Sequence, residues 1–462
     1  MNLNKASIYH SKCEETLSKG MYHRLFPSHL EITPQLNEVY ELALAFYESQ
    51  ILNDDELVKN GAYFARVGKK FSKHFLMCTG EPVRLPKHSS SRLKSFFTKN
   101  QFRTGYATHG LFPYRGKFHP QMIKALINVM GIKSGDTIID PMMGSGTVPV
   151  EACLMGIKSI GIDASPFCRF MTQTKLDALT LPQEPLRDAL NNYKAIFEYF
   201  VKTKGHPVQG SKIKKRSPKD KNSSIREFSA DFQSPNSKRI EDLVGCGRAD
   251  IYNFLLLAYL DSAGYSERSK RKSPIEQFHA ILDRYVFVVE KIQNILEGTE
   301  SKLAEATVFI GDARSMSLED SSVDGILFSP PYSFAINYLQ NDSFHLNVMG
   351  ENIFELKEKM VGLRGRTVRD KYDLYIKDMD KVLSECARIL KSNRFCTIIV
   401  GTNDNQLSKA LGVPKKEVKG LHQILIDRAS THGFSLVRLL SRQITGIANT
   451  MRNEYIIILQ QR

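Results

Sequence analysis

The sequence predicts an α/β fold built on an open, mostly parallel sheet, with an antiparallel strand pair at its C-terminal end. Three observations predict it. Short strand patterns alternate with helical ones, as in "TIID", "VPVEACLMG" and "SIGID". The stretch "DPMMGSGT" carries the first strand into a helix through glycines. At the end, "SLVRLLSRQI" and "NEYIIILQQ" read as two successive strands joined by a long turn.

Taken in order, residues 1–100 mix helical pattern ("LNEVYELALAFYESQ") with basic, loop-like pieces ("PKHSSSRLKSFFTKN"). This predicts a mainly helical N-terminal region, and it carries no catalytic signature. Residues 101–180 form the first half of the core. "HPQMIKALINVMGI" is a helix, with Met122, Leu126, Ile127 and Met130 at helical spacing. The turn "KSGD" leads into the strand "TIID". A helix closed by Gly156 follows, then the strand "SIGID", completing a β-α-β unit.

Residues 181–304 break the alternation and read as an insertion. "KTKGHPVQGSKIKKRSPKDKNSSIRE" is basic and rich in turn residues. The helical stretches "DIYNFLLLAYLD" and "IEQFHAILDRYVFVVEKIQNIL" follow, with "ERSKRKSP" between them. The sheet pattern resumes in residues 305–462. "ATVFIGDA" and "VDGILFSPPY" contain strands, "DMDKVLSECARIL" is a helix, "RFCTIIVG" a strand and "HQILIDRASTHG" a helix. No internal repeat is found.

The chain has 462 residues, 42% hydrophobic and 24% charged, enough for a large buried core. Lys and Arg number 64 against 49 Asp and Glu, a net charge of +15. That excess favours a polyanionic partner; the alternative is a basic, solvated surface. None of the seven cysteines forms a C-x-x-C pair, so no metal site is predicted, and the scattered thiols fit a reducing cytoplasm. The N-terminus shows no apolar secretory signal, and no apolar run reaches the length of a membrane span.

The glycine turn is the first chemical signal. Gly144 and Gly146 permit a tight turn and close approach of a ligand to the backbone. Pro141 precedes them, and Thr147 opens a helix whose first N–H groups suit a carboxylate or phosphate. A lone G-x-G also serves simply to turn a chain. No Gly-Lys-Ser/Thr follows, so this is not a P-loop. Three acids sharpen the reading, because they end successive strands: Asp140, Asp163 and Asp312. Asp140 is placed to meet an amine, Asp163 to accept from ribose hydroxyls and Asp312 from an adenine amino group. The alternative for each is a helix cap or a solvated loop carboxylate. A ligand with an amine, a carboxylate and a ribose fits S-adenosyl-L-methionine better than a dinucleotide.

The second signal is "ILFSPPY", a strand that ends on Ser329, Pro330, Pro331 and Tyr332. "DPMMGSGT", "GID", "GDA" and "SPPY", in that order, resemble the amino-methyltransferase family that modifies exocyclic amines of DNA bases. The S-P-P-Y form resembles its cytosine-N4 branch; adenine-N6 enzymes carry Asp or Asn before the prolines. "HGLFPYRGKFHPQMIKALI" is similar to the family's cofactor-flanking segment. The resemblance covers about residues 105–180 and 305–462.

It implies a Rossmann-like, S-adenosylmethionine-dependent fold acting on double-stranded DNA. It also implies a restriction–modification system with a separate cognate endonuclease. The elbow then has a physical purpose. Ser329 Oγ and the Pro330 carbonyl accept hydrogen bonds from a base amine whose lone pair is delocalised, and the prolines hold those acceptors in place. Tyr332 offers a flat face to a base swung out of the helix. The alternative is a Pro-Pro strand terminator with a packed tyrosine.

Other residues carry weaker signals. Cys168 in "SPFCR" reads as a buried thiol rather than a C5-type nucleophile. His109 and His119 read as loop or cap histidines before ligand contacts. Tyr338, Asn341 and Asp342 either shape the base pocket or simply belong to a loop. Many cytosine-N4 enzymes carry the catalytic motif first; here the cofactor motifs precede it, with the insertion between Asp163 and Asp312.

The insertion is therefore the candidate recognition element, with Lys212, Lys214, Lys215 and Arg216 as phosphate contacts. A disordered solubilising loop is the alternative. The N-terminal region and "KEKMVGLRGRTVRDKY" also carry suitable charge. Two other functional readings stand beside the main one. One is an adenine-N6 or RNA-base methyltransferase. The other is a catalytically silent nucleic-acid-binding protein on the same scaffold.

Overall fold

The N-terminal region is tied to the rest of the chain by a shared apolar core. The computed structural model describes residues 22–33, 36, 38–78, 105–114, 117–205, 238–266, 273–331, 338–401, 404–443 and 453–462. Within residues 22–78, strands β1 (Leu30–Ile32), β2 (Phe64–Val67) and β3 (Lys70–Phe71) form a small antiparallel sheet beside helix α1 (Val39–Ile51). The region is helical, as expected, but this sheet was not foreseen. Its strands are too short to display a two-residue period. Tyr40, Leu44, Tyr63 and Phe64 pack in one cluster with Met122, Leu126, Ile138 and Ile456.

Beyond it lie α2 (Pro120–Val129), β4 (Thr137–Asp140), α3 (Thr147–Met155), β5 (Lys158–Asp163) and α4 (Pro166–Asp177). Pro120 at the first helical position, and Ser165 accepting from the Cys168 N–H, start α2 and α4 where the sequence suggests. Gly156 ends α3 in the left-handed conformation (φ 76°), as the C-terminal glycine predicted.

Two long helices of the insertion, α5 (Ala249–Ser266) and α6 (Pro274–Gly298), are apolar on more than one face. They are packed accordingly. Leu255, Tyr259, Phe278 and Tyr285 share a cluster with Phe112 and Phe167 of the cofactor half and with Leu339 and Leu346 of the catalytic half.

The remaining core comprises β6 (Ala306–Ile310), β7 (Val323–Phe328), α7 (Tyr338–Val348), α8 (Val368–Ile389), β8 (Leu390–Gly401), α9 (Leu421–Thr431), β9 (Phe434–Gln443) and β10 (Asn453–Gln461). The seven strands are ordered β6-β5-β4-β7-β8-β10-β9. The first five run parallel; β10 is antiparallel to both β8 and β9. This is the predicted α/β, Rossmann-like methyltransferase sheet with its terminal antiparallel pair.

The order also fixes where a site can form. From β4 the chain steps outward to β5 and β6, then returns to place β7 on the other side of β4. The carboxyl ends of β4 and β7 therefore flank a topological switch point, where open α/β sheets bind ligands. No single described helix is long and apolar enough to cross a membrane.

Candidate active site

A cavity of about 840 Å³, counted to its open mouth, lies over that switch point. Pro141, Gly144, Thr147, Asp163, Asp312, Ser329, Pro330 and Pro331 all line it. Four connections far apart in sequence thus meet because β6, β5, β4 and β7 are neighbours. Tyr332 and the run Lys212, Lys214, Lys215 and Arg216 lie outside the described residues.

The glycine turn is held from several sides. Gly144 adopts φ 49° and Gly146 φ 74°, backbone that L side chains rarely take. The Met143 N–H donates to the Ile162 carbonyl at 2.9 Å, and the Gly144 N–H to Asp163 Oδ2 at 2.8 Å. Lys175 Nζ, fully buried, donates to the Ser145 carbonyl at 2.9 Å. Burial and the nearby Lys117 push the Lys175 ammonium well below the usual lysine range.

A Cβ on Gly146 would stand 2.3 Å from Thr172 Cγ2, so close packing as well as φ demands glycine there. Gly146 does not line the cavity; its part is to let α3 begin beside it. No side chain caps that helix, so its first N–H groups remain for a ligand carboxylate.

The three acids differ. Asp163 lines the cavity, accepts from the Gly144 and Ser165 N–H groups, and is pushed up by burial. Spare lone pairs remain on its oxygens for hydroxyl donors. Asp312 also lines the cavity, but Arg314 binds both of its oxygens. Burial would raise the Asp312 carboxyl, yet Arg314 holds it below the ordinary value.

Asp140 corrects the sequence reading. It is fully buried and absent from the cavity wall. Its Oδ1 accepts from the Met142 N–H at 3.0 Å, and Oδ2 has no hydrogen-bond partner among the described residues. Burial pushes its carboxyl well above the carboxylate range, which favours a neutral group rather than a partner for an ammonium.

At the elbow, the Ser329 hydroxyl donates to the Pro330 carbonyl at 3.3 Å. Both oxygens therefore sit side by side at the end of β7. The opposite rim is Lys359, Met360 and Val361, anchored by Arg314 Nη2 donating to the Lys359 carbonyl. Arg314 and Arg364 both reach Asp378.

Sequence reasoning missed this rim and missed Tyr114, which lines the cavity and contacts Asp342 on α7 at 3.3 Å. Tyr114 lies within the cofactor-flanking segment, which is the only signal that pointed near it. Cys168 is a buried thiol, as read. His109 lies away from the cavity, with Nε2 donating to Glu151 at 2.7 Å.

Comparison with known proteins agrees with this geometry. The RMKL-like methyltransferase domain of family UPF0020 matches residues 111–232. The type II methyltransferase M.MjaII of Methanocaldococcus jannaschii is 44% identical over 88 residues, 19% of this chain and 16% of that protein. The type II methyltransferase M.AvaI of Nostoc is 22% identical over 396 residues, 77% of each chain. A tRNA (guanine(10)-N2)-dimethyltransferase of Methanothermobacter thermautotrophicus is 33% identical over 73 residues, 16% of this chain and 22% of that one. The chain thus spans less than a quarter of the relatives it matches at 33–44% identity.

The cofactor of this methyltransferase domain is S-adenosyl-L-methionine, and the residues present fit it. An uncapped helix start suits its carboxylate and Asp163 its ribose. When bound, it supplies an activated methyl group on a sulfonium.

Proposed function

We propose that this protein transfers a methyl group from S-adenosyl-L-methionine to the exocyclic N4 amine of cytosine in a specific duplex DNA sequence. Its setting, on this reading, is the modification half of a cytoplasmic restriction–modification system whose endonuclease acts separately. One observation carries the reading: Ser329, Pro330 and Pro331 share a cavity with the glycine turn. A base amine there meets two oxygen acceptors and the methyl donor together. Hydrogen bonds accepted by Ser329 Oγ and the Pro330 carbonyl draw the amine toward tetrahedral geometry, so its lone pair can attack. The proline pair keeps both acceptors oriented, and orientation is the main contribution a protein makes beside an activated cofactor. Tyr332 is assigned the face on which the base stacks.

The M.MjaII and M.AvaI similarities support a DNA substrate. The similarity to a tRNA guanine-N2 dimethyltransferase favours a second reading, methylation of an RNA base amine. Incubating DNA and RNA with isotopically labelled cofactor, then analysing nucleosides by mass, separates them. N4-methylcytosine in DNA is the expected product. N6-methyladenine or a methylated ribonucleoside would refute the substrate assignment, and no product would revive a silent binding protein. Ser329→Ala and Tyr332→Ala are expected to keep cofactor affinity while losing methyl transfer.

We assign DNA contact to the insertion, through Lys212, Lys214, Lys215 and Arg216. Neutralising them is expected to lower the slope of log affinity against log salt by about 0.9 for each phosphate that the protein no longer neutralises. An unchanged slope and unchanged methylation rate would move the interface to the N-terminal region or to Arg364 and its basic neighbours.

A further inference from the structure

Behind one wall of the cavity sits a buried titratable group that the proposed chemistry leaves unused. Tyr114 stands on that wall, its ring 3.7 Å from where a Cβ on Gly144 would be. Its hydroxyl donates to Asp342 Oδ2 at 3.3 Å and lies 3.5 Å from Cys168 Sγ. Asp163 faces the same group from the end of β5. The segment before α2, the end of β5, α4 and α7 thus each contribute one side chain. Among the described residues the titratable groups facing Asp342 are Tyr114, Cys168 and Asp163, and every one of these is an acid. Asp342 itself is only 8% exposed.

We propose that Asp342, one hydrogen bond behind the cavity wall, is the charge-compensating residue of the cofactor site, ionised when the cationic S-adenosyl-L-methionine is bound and protonated once that charge is gone. The proposal rests on the cofactor assignment above. Burial, together with Asp163 and against the hydrogen bond from Tyr114, pushes the Asp342 carboxyl up to about 7. A proton therefore resides there in much of the free protein near neutral pH.

A cation in the cavity favours the ionised carboxylate, because opposite charges a few ångströms apart in a poorly screened site attract strongly. Binding the sulfonium therefore expels the proton. The demethylated product, S-adenosylhomocysteine, is a neutral thioether at the same place and gives no cause to expel it. In turnover the acceptor nitrogen's lone pair forms the N–CH3 bond. The S–CH3 bond breaks with its electron pair left on sulfur, and one N–H proton leaves. Asp342 takes up that proton by way of Tyr114, whose ring lines the cavity and whose hydroxyl bonds the carboxylate.

The test is calorimetry on the full chain at pH 6, in buffers of different ionisation enthalpy, with S-adenosyl-L-methionine and S-adenosylhomocysteine as the two probes. One unit below about 7, the methylated cofactor is expected to release up to roughly 0.9 proton per site, and the product close to none. Asp342→Asn, which keeps the side chain's shape, is expected to bring the release with the methylated cofactor down to the level seen with the product. Affinity for the methylated cofactor is expected to fall toward tenfold per pH unit below 7 in the native protein, and to stay flat in the variant. Tyr114→Phe keeps the ring but removes a hydrogen bond that favours ionisation, so it is expected to move the release midpoint to higher pH.

Equal proton release with the two probes, or release that persists in Asp342→Asn, would overturn the proposal. No binding of S-adenosyl-L-methionine at all would overturn both it and the cofactor assignment. The expected release without methylation of any base would uphold it and remove the substrate reading alone.

Discussion

Two buried acids, Glu151 and Asp342, meet opposite fates. Glu151 lies on α3, fully buried, and the protein surrounds it with donors. The Tyr106 hydroxyl donates to Oε1 at 2.5 Å, His109 Nε2 donates to the same oxygen, and the Lys124 ammonium stands 3.4 Å from Oε2. Burial alone would raise the Glu151 carboxyl. Lys124 and His109 overcome it and hold it down to about 2. Asp342 receives one phenol and faces Asp163, and it is pushed up to about 7.

The difference teaches how to tell a structural carboxylate from one awaiting a ligand: the first has its countercharge built into the chain. A raised carboxyl is not enough by itself. Glu48 also rises to about 7 by burial, yet it accepts from the Ala62 and Tyr63 N–H groups and from Asn128. Those donors dock α1 against α2, far from the cavity wall.

The largest effect that tests this contrast is on folding. Lys124→Met leaves Glu151 buried without its cation and is expected to cost about 3–5 kcal/mol in urea unfolding. Asp342→Asn removes no ion pair among the described residues and, because the native carboxyl is pushed up to about 7, is expected to leave stability at pH 7 unchanged or raised. Equal losses would erase the distinction.

Next comes the glycine turn. Gly146→Ala adds a side chain at φ 74° and against Thr172, with an expected loss of about 2 kcal/mol and weaker cofactor binding. Thr172→Ala is expected to restore part of it, and failure of that rescue in a thermal melt would show that φ alone forbids the change. Asp163→Ala is expected to weaken S-adenosyl-L-methionine by about 1–3 kcal/mol, and unchanged affinity in a folded variant would remove Asp163 from the ribose role.

The pH dependence is the most discriminating test, because the two acids slope in opposite directions with pH. Glu151 has a folded-state pKa depressed from about 4.5 to about 2, so its stabilisation is complete above 4.5 and is lost as pH falls toward 2. Asp342 has a folded-state pKa raised from about 4 to about 7. Between those values the native state holds a proton that the unfolded chain has released, so stability falls as pH rises. Glu48 contributes in the same window, so the measurement compares the native protein with Asp342→Asn. The variant is expected to show a shallower decline between pH 4 and 7, and identical curves would show that Asp342 ionises at its ordinary value.

Much of the architecture was legible in the chain itself. Glycines in "DPMMGSGT", the helix ending at Gly156 and the S-P-P-Y strand terminus are local decisions, set by φ, by missing N–H donors and by hydrophobic period. They determined the alternation of strands and helices. Because strands end where their side chains change character, they also predicted which loops would share one edge of the sheet. Asp163, Asp312 and Ser329 are found at that edge for this reason.

What tertiary structure alone decided is electrostatic. Whether an acid stays ionised depends on neighbours brought from far along the chain: Lys124 and His109 for Glu151, Tyr114 for Asp342. Asp140 and Asp163 end adjacent strands and look alike in the sequence. One is buried and the other lines the cavity, because Asp140 pairs in register with Gly161, which sets Asp163 two residues farther along the same face, past the end of β4.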